Sequence, residues 1–115
     1  MPEVRVKYDD AKVNHDQLAT LSQKLGSFIA THLSCDGGNL NPEDIALSFS
    51  AYNKLDRHQN DLEIIIDAFI FPERLTNLQD RTDKIFLEVN KILGPGISYF
   101  IWTRLSEGGF SSTNQ

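Results

Sequence analysis

The chain has 115 residues, a formal net charge of −5 at pH 7, and 40% hydrophobic and 23% charged residues. This length suits a single domain with a modest core, and the acidic balance argues against a nucleic-acid-binding protein, which would usually carry a basic face. No apolar run reaches the ~18–20 residues that span a bilayer, and no basic-then-apolar leader is present. The single cysteine, Cys35, fits a reducing compartment. We therefore expect a cytoplasmic protein with one domain over residues 1–110 and a flexible tail at 111–115.

The first half of the sequence predicts a strand, a helix and a second strand. Residues 4–8 alternate apolar and polar side chains, which is the pattern of a half-buried strand. Apolar residues then recur at helical spacing over 18–33, and either Asn14 or Asp16 can cap the start of this helix. Alternation returns over 45–50 and predicts the second strand.

The second half repeats this order. Residues 62–66 form a more hydrophobic strand, which we expect to be central. Pro72 can begin the next helix, because proline is tolerated in a first turn, and the apolar stripe of this helix extends over 75–93. Glycines at 94 and 96 stop the helix, and residues 97–103 form the fourth strand.

An offset of 60 residues superposes the two half-repeats, 2–52 and 62–105. Equivalent apolar positions include Val4 and Ile64, Val6 and Ile66, and Leu33 and Leu93. Short crossovers make the two strands of each half parallel, and right-handed crossovers place both helices on one face. The sequence therefore predicts an α+β fold, a tandem βαβ repeat with a four-stranded mixed sheet and two helices on one face.

The other face of this sheet is polar and aromatic. If the apolar strand positions face the helices, the alternate positions share the second face: Glu3, Arg5, Lys7, Ser48, Ser50, Ile65, Asp67, Phe69, Phe100 and Trp102. Symmetric self-association is the common way to cover a large repeated surface. We therefore expect a homo-oligomer.

Pro2 directly follows Met1 and opens the first predicted strand. Removal of Met1 would leave a secondary amine as the first group, and an unperturbed α-amino group titrates at about 7.7–8.0. Burial in apolar surroundings lowers the pKa of an amine further, so this amine could act as a general base near neutral pH. The structural alternative is that Pro2 merely begins an edge strand, where its missing N–H does no harm.

A tandem βαβ repeat of this length that begins Met-Pro resembles the tautomerase superfamily, which includes 4-oxalocrotonate tautomerase, macrophage migration inhibitory factor and 5-carboxymethyl-2-hydroxymuconate isomerase. The segment Ile64–Leu93 looks like the third strand and second helix of the longer, fused members. The resemblance implies a homotrimer with active sites near subunit boundaries and no cofactor. It also implies that the amine of Pro2 shuttles a proton in isomerisation of a small anionic 2-oxo or 2-hydroxy acid, or serves related hydratase, dehalogenase or decarboxylase chemistry.

Such a substrate needs cations to hold its carboxylate and to stabilise an enolate. Arg74, beside Pro72, stands where relatives carry a substrate-binding arginine, although Phe71 replaces a second family arginine. Lys12 lies at the first strand-to-helix turn, where 4-oxalocrotonate tautomerase has an arginine. The alternative for both residues is an ordinary solvated cation.

The fourth strand and its exit hold further candidates. The resemblance implies an apolar pocket wall from Tyr99, Phe100 and Trp102, a carboxylate ligand in Arg104 and a water-activating base in Glu107. The alternative for the aromatic residues is packing in the core or between subunits.

The same sequence also fits other classes of function. The order βαββαβ also fits a ferredoxin-like binding or regulatory module, in which the two strands of each half are not neighbours. A tautomerase fold that has lost catalysis and binds a partner is a third reading. His15, His32 and His58 are scattered without the spacing of metal ligands, and no nucleotide-binding motif occurs, so we predict neither a metal nor a cofactor.

Overall fold

A computed structural model describes residues 2–35 and 38–107, so the expected tail lies outside the described residues. The elements follow in the order β1 (Glu3–Tyr8), α1 (His15–Leu33), a 3-10 turn (Pro42–Asp44), β2 (Ala46–Ala51), β3 (Leu62–Phe69), α2 (Pro72–Thr76), α3 (Leu78–Leu93) and β4 (Tyr99–Ser106). None of the helices in these two ranges is long and apolar enough to cross a bilayer.

The four strands form one mixed sheet in the order β2-β1-β3-β4. β1 pairs directly and in parallel with β2, β3 pairs in parallel with β4, and β1 and β3 are antiparallel. The direct pairing of β1 with β2 excludes the ferredoxin-like arrangement, which would place another strand between them. The predicted α+β class, with a central third strand, is confirmed.

The 60-residue repeat is visible in the register of the two central strands. Val4 is opposite Ile66 and Val6 is opposite Ile64, so repeat-related positions exchange across the β1–β3 ladder. Arg5 and Ile65, which are 60 residues apart in sequence, face each other directly. The pseudo-two-fold axis that relates the two halves therefore passes through the middle of the sheet.

Both long helices cover one face of the sheet and bury its apolar side chains. Asn14 is the N-cap of α1, and its side chain accepts a hydrogen bond from the Gln17 amide at 2.8 Å while Gln17 Oε1 accepts from the Asn14 amide, which completes a capping box. The fully buried core combines even-numbered strand positions with the inner stripes of the helices: Val4, Val6, Leu21, Leu25, Ile29, Leu33, Leu62, Ile64, Ile66, Ile85 and Val89. The opposite face of the sheet, which we call the open face, is not covered by these helices.

β3 continues to Phe69, beyond the predicted 62–66, and two further elements differ from the sequence prediction. The second helix begins at Pro72 as expected but is interrupted at Asn77, whose φ of −129° and ψ of 36° are not helical. The last strand extends over Tyr99–Ser106 rather than 97–103, because all eight residues of β3 find partners on it. Apolar periodicity detected both elements but not these bounds.

Candidate functional site

Pro2 is buried immediately before β1, and its carbonyl accepts a hydrogen bond from the Ala46 amide at 3.1 Å. Because β1 lies between β2 and β3, the edge-strand explanation of this proline is wrong. Its even position matches Val4 and Val6, whose side chains are in the core.

Four charged side chains on the open face form a connected cluster near the Pro2 end of the sheet. Asp67 accepts hydrogen bonds from Nε and Nη2 of Arg104, both at 2.7 Å, and from Nη2 of Arg5 at 2.9 Å. Glu3 Oε1 lies 3.9 Å from Arg5 Nε. Glu3 is opposite Asp67, and Asp67 is opposite Arg104, so Arg104 is two strands, or about 10 Å, from β1.

Hydrogen bonding within the cluster favours the charged forms of Asp67 and Arg104. The hydrogen bonds from Arg104, followed by those from Arg5, hold the pKa of the Asp67 carboxyl below its ordinary value against the opposing effect of burial. The same hydrogen bond with Asp67 raises the pKa of Arg104. Asp67 is therefore an anion and Arg104 a cation throughout the neutral pH range.

Trp102 is the predicted aromatic residue that contacts this cluster. Its side chain is on the open face with 56% exposure, and the Arg104 Cζ lies 5.1 Å from its ring centroid. Phe100 shares the open face but is opposite Glu63, one side-chain position further from Pro2. Arg104 and Trp102 are thus brought together, whereas Phe100 lies towards the far end of the sheet.

Tyr99 and Lys12 are far from Pro2 in the same protomer. Tyr99 stacks on Phe86 of α3 at 4.5 Å and donates a hydrogen bond to the Phe86 carbonyl at 2.9 Å, and burial raises its pKa to about 12. It therefore packs against the helices and does not line the open face. Lys12 is exposed beyond the other end of β1, and a strand of this length separates it from Pro2 by roughly 20 Å.

Arg74 is enclosed within the fold at 2% exposure. Its Nε donates to the Leu33 carbonyl at 2.7 Å, Nη1 to the Phe69 carbonyl at 2.9 Å and Nη2 to the Gly38 carbonyl at 3.0 Å. Burial lowers its pKa. Within one protomer Arg74 joins the ends of α1 and β3, and this geometry favours a structural role over the predicted contact with substrate.

Arg81 has a similar structural role that sequence reasoning missed. Its Nη1 donates to the His32 and Ser34 carbonyls at 2.9 and 2.8 Å, and its Nε donates to Asn77 Oδ1 at 2.6 Å. The available signal was its position in the buried stripe of α3, four residues before Ile85. A cation at such a position needs fixed acceptors.

Glu107 follows β4 and is exposed at the end of the sheet that holds Arg104. Among the residues that the structure describes, no group of three or more His, Cys, Asp or Glu side chains is arranged to hold a metal ion. The side chains near the Pro2 end are therefore two arginines, carboxylates and an indole.

No protein-family model and no curated protein sequence matches this chain. Solved structures do match: a fused 4-OT, F6, described as an asymmetric trimer, has a TM-score of 0.70 and 12% identity over 98% of this chain and 94% of its own. Malonate semialdehyde decarboxylase has a TM-score of 0.69 and 8% identity, over 97% of this chain and 90% of its own. A macrophage migration inhibitory factor-like protein from Entamoeba histolytica has a TM-score of 0.63 and 7% identity, over 96% of this chain and 95% of its own. The chain has the tautomerase-like fold that the resemblance predicted.

Proposed function

We propose that this chain is a cofactor-independent tautomerase or isomerase of a small 2-oxo or 2-hydroxy carboxylic acid. The observation that carries the proposal is Pro2, buried at the head of a central strand in a tautomerase-like fold. The proposal requires removal of Met1, because an amide nitrogen has no useful basicity. After that removal the nitrogen of Pro2 would be a secondary amine. Such an amine takes a proton from the carbon beside the substrate carbonyl and returns it to another atom of the enolate.

Arg104 is the carboxylate-binding residue that we propose. Of the predicted ligands in the described residues, it combines a positive charge held by Asp67 with a position at the Pro2 end of the sheet. Its planar guanidinium suits two-point contact with a carboxylate. Trp102 would cover that contact from solvent, which strengthens the charge interaction.

One structural neighbour supports the role proposed for Pro2. Malonate semialdehyde decarboxylase has been studied with a variant in which its first-position proline is replaced by alanine, in connection with decarboxylase and hydratase activities. For this chain we extend the likeness to the role of Pro2 as base. Decarboxylase, hydratase and dehalogenase reactions are the neighbouring chemistries that the same amine could serve.

We propose a homotrimer as the active form. The described protomer leaves Trp102 at 56% exposure and Leu55 at 96% exposure, and the fused 4-OT neighbour is described as a trimer. Association of copies would enclose the Pro2 end of the sheet and exclude water from it. Light scattering of the purified chain measures this state directly.

A second candidate function is a tautomerase-fold protein without catalysis that binds a partner. The observation that favours it is the use of Arg74, expected as a substrate ligand, to bind three backbone carbonyls. The distance of Lys12 from Pro2 favours it as well. This alternative predicts no turnover of any oxo acid.

The deciding experiment combines intact mass with enzyme assays. Mass spectrometry of the native protein should show loss of Met1, and phenylpyruvate and 2-hydroxymuconate should be assayed with wild type, Pro2→Ala and Pro95→Ala. We expect Pro2→Ala to reduce turnover by about 10²- to 10⁴-fold, which is the usual contribution of a positioned base. Pro95 is exposed in the turn after α3, so its variant is the matched control. Retention of Met1, or equal activity in both proline variants, would overturn the catalytic proposal.

A further inference from the structure

The centre of the open face contains a depression of about 300 Å³ beside the pseudo-two-fold axis. Its apolar floor is Ile65, and one wall is made by the exposed hydroxyl side chains of Ser48 and Ser50. Ser48 is opposite Arg5 and Ser50 is opposite Lys7 in the parallel β1–β2 pairing. Two hydroxyls and two cations therefore lie side by side along neighbouring strands.

The charges that line the depression are mostly positive. Arg5, Lys7 and Arg104 contribute three cations, and Glu63 contributes one carboxylate. The two serine hydroxyls add hydrogen-bond donors, and neither they nor the apolar floor adds negative charge. A lining with this balance attracts an anion of small size.

Asp67 holds two of these cations from outside the depression. It accepts from Nε and Nη2 of Arg104 and from Nη2 of Arg5, while it does not itself line the depression. In the part of the chain that the structure describes, neither arginine uses Nη1 in a hydrogen bond. Each guanidinium is thus fixed along one edge and retains donors along another, an arrangement that suits bidentate binding of an oxyanion.

Lys7 is the third cation that lines the depression. It is exposed and is opposite Glu63 in the β1–β3 ladder, yet it forms no ion pair among the described residues. A lysine ammonium is a compact charge on a flexible stem. It can turn towards a bound anion without breaking an existing contact.

We propose that this depression is a second binding site, which takes a small oxyanion, either a carboxylate or a phosphate, between Arg5, Lys7 and Arg104 with Ser48 and Ser50 as further donors. It differs from the place proposed for proton transfer, because Lys7 and Pro2 are five residues apart on β1, or about 16 Å. The site stands whether or not Pro2 is a base. Arg104 and Arg5 also belong to the cluster near the Pro2 end. Lys7 lies outside that cluster, so its variant separates the two places, and the Arg5 variant supplements it.

The experiment is isothermal titration of the purified full chain with inorganic phosphate in one arm and malonate in the other, at constant ionic strength set with sodium chloride. Lys7→Gln is compared with Lys12→Gln, which removes the same charge from an exposed position outside the depression. Arg5→Gln is compared with Arg57→Gln, since Arg57 is exposed in the loop between β2 and β3. We expect Kd to rise about tenfold at Lys7 and Arg5, as for loss of one charge-assisted contact, and less than about twofold in both controls.

Two further variants sharpen the result. Glu63→Gln removes the one carboxylate of the lining and should tighten binding, whereas Pro2→Ala should leave Kd unchanged. Binding of one probe and not the other identifies the ligand chemistry. The proposal is overturned if neither probe binds more tightly than about 10 mM, if the matched controls weaken binding as much as Lys7→Gln, or if Glu63→Gln weakens it. Because none of these readouts uses turnover, failure of the catalytic proposal is separately visible.

Discussion

Two pairs of arginines occupy opposite situations in this protein. Arg74 and Arg81 are buried where α1, α2 and α3 meet, at 2% and 9% exposure, and they bind backbone carbonyls of residues that are distant in sequence. Arg5 and Arg104 lie on the open face, where both bind the carboxylate of Asp67. The residue type is the same, but the acceptors and the access of solvent differ.

This difference in surroundings predicts that the buried arginines stabilise the fold and that the open-face arginines are available for binding. A backbone carbonyl in a buried position has no alternative partner, so loss of its arginine leaves an unsatisfied group that costs about 1–3 kcal/mol. An ion pair in contact with water contributes about 0–1 kcal/mol to stability, because water replaces either partner. The buried pair should therefore be needed for folding, and the open-face pair should be available to a ligand.

The largest expected effect is that of Arg74→Leu. Three carbonyls lose their donor at once, and we expect the free energy of unfolding to fall by about 3 kcal/mol or more. Urea denaturation measures this loss, and Arg57→Leu, made in an exposed loop, is the control. Arg74→Lys should recover part of the stability, since one ammonium can serve some of the carbonyls. Unchanged stability in Arg74→Leu, together with a raised KM, would instead identify Arg74 as the substrate ligand that its sequence position suggested.

The fold was predictable because its signals are local or periodic. Alternation at Val4 and Val6, and again at Ile64 and Ile66, identified two strands and the 60-residue repeat, and the ladder between these strands confirms it. The interruption at Asn77 was not predictable, because apolar spacing on either side of it continues almost in phase.

The candidate site was predictable only in part. Position in sequence identified Pro2, and strand alternation placed Arg5, Asp67 and Trp102 on one face. The pairing of Arg5 with Asp67 joins residues 62 apart, so it depends on the antiparallel register of β1 with β3, which periodicity does not fix. The burial of Arg74 also depends on residues that are distant in sequence, Leu33 and Gly38, so the nearby Pro72 did not reveal it.

A smaller effect on stability, and a different kind of effect, is expected for Arg104→Gln. The side chain is 39% exposed, so its loss should change the free energy of unfolding only slightly. If it holds the substrate carboxylate, KM should rise by about 10-fold or more, as for loss of a charge-assisted hydrogen bond. Steady-state kinetics beside urea denaturation separates the two quantities. A loss of stability as large as that of Arg74→Leu, with KM unchanged, would show that the two pairs of arginines do not differ in role.

The smallest expected effect is the pH dependence that Asp67 contributes. Its pKa is lowered in the folded chain by Arg104 and Arg5, so its contribution to stability is present above the unfolded value of about 3.9 and is lost as pH falls through the lower folded value. Asp67→Asn lacks this contribution, and its stability relative to wild type should therefore improve as the pH is lowered from about 6 to 3. Asp10→Asn, at an exposed carboxylate in the loop after β1, is the control for removal of a carboxylate that binds neither arginine. Urea denaturation at each pH measures both differences, and parallel curves for the two variants would show that the arginines on the open face do not stabilise the Asp67 anion.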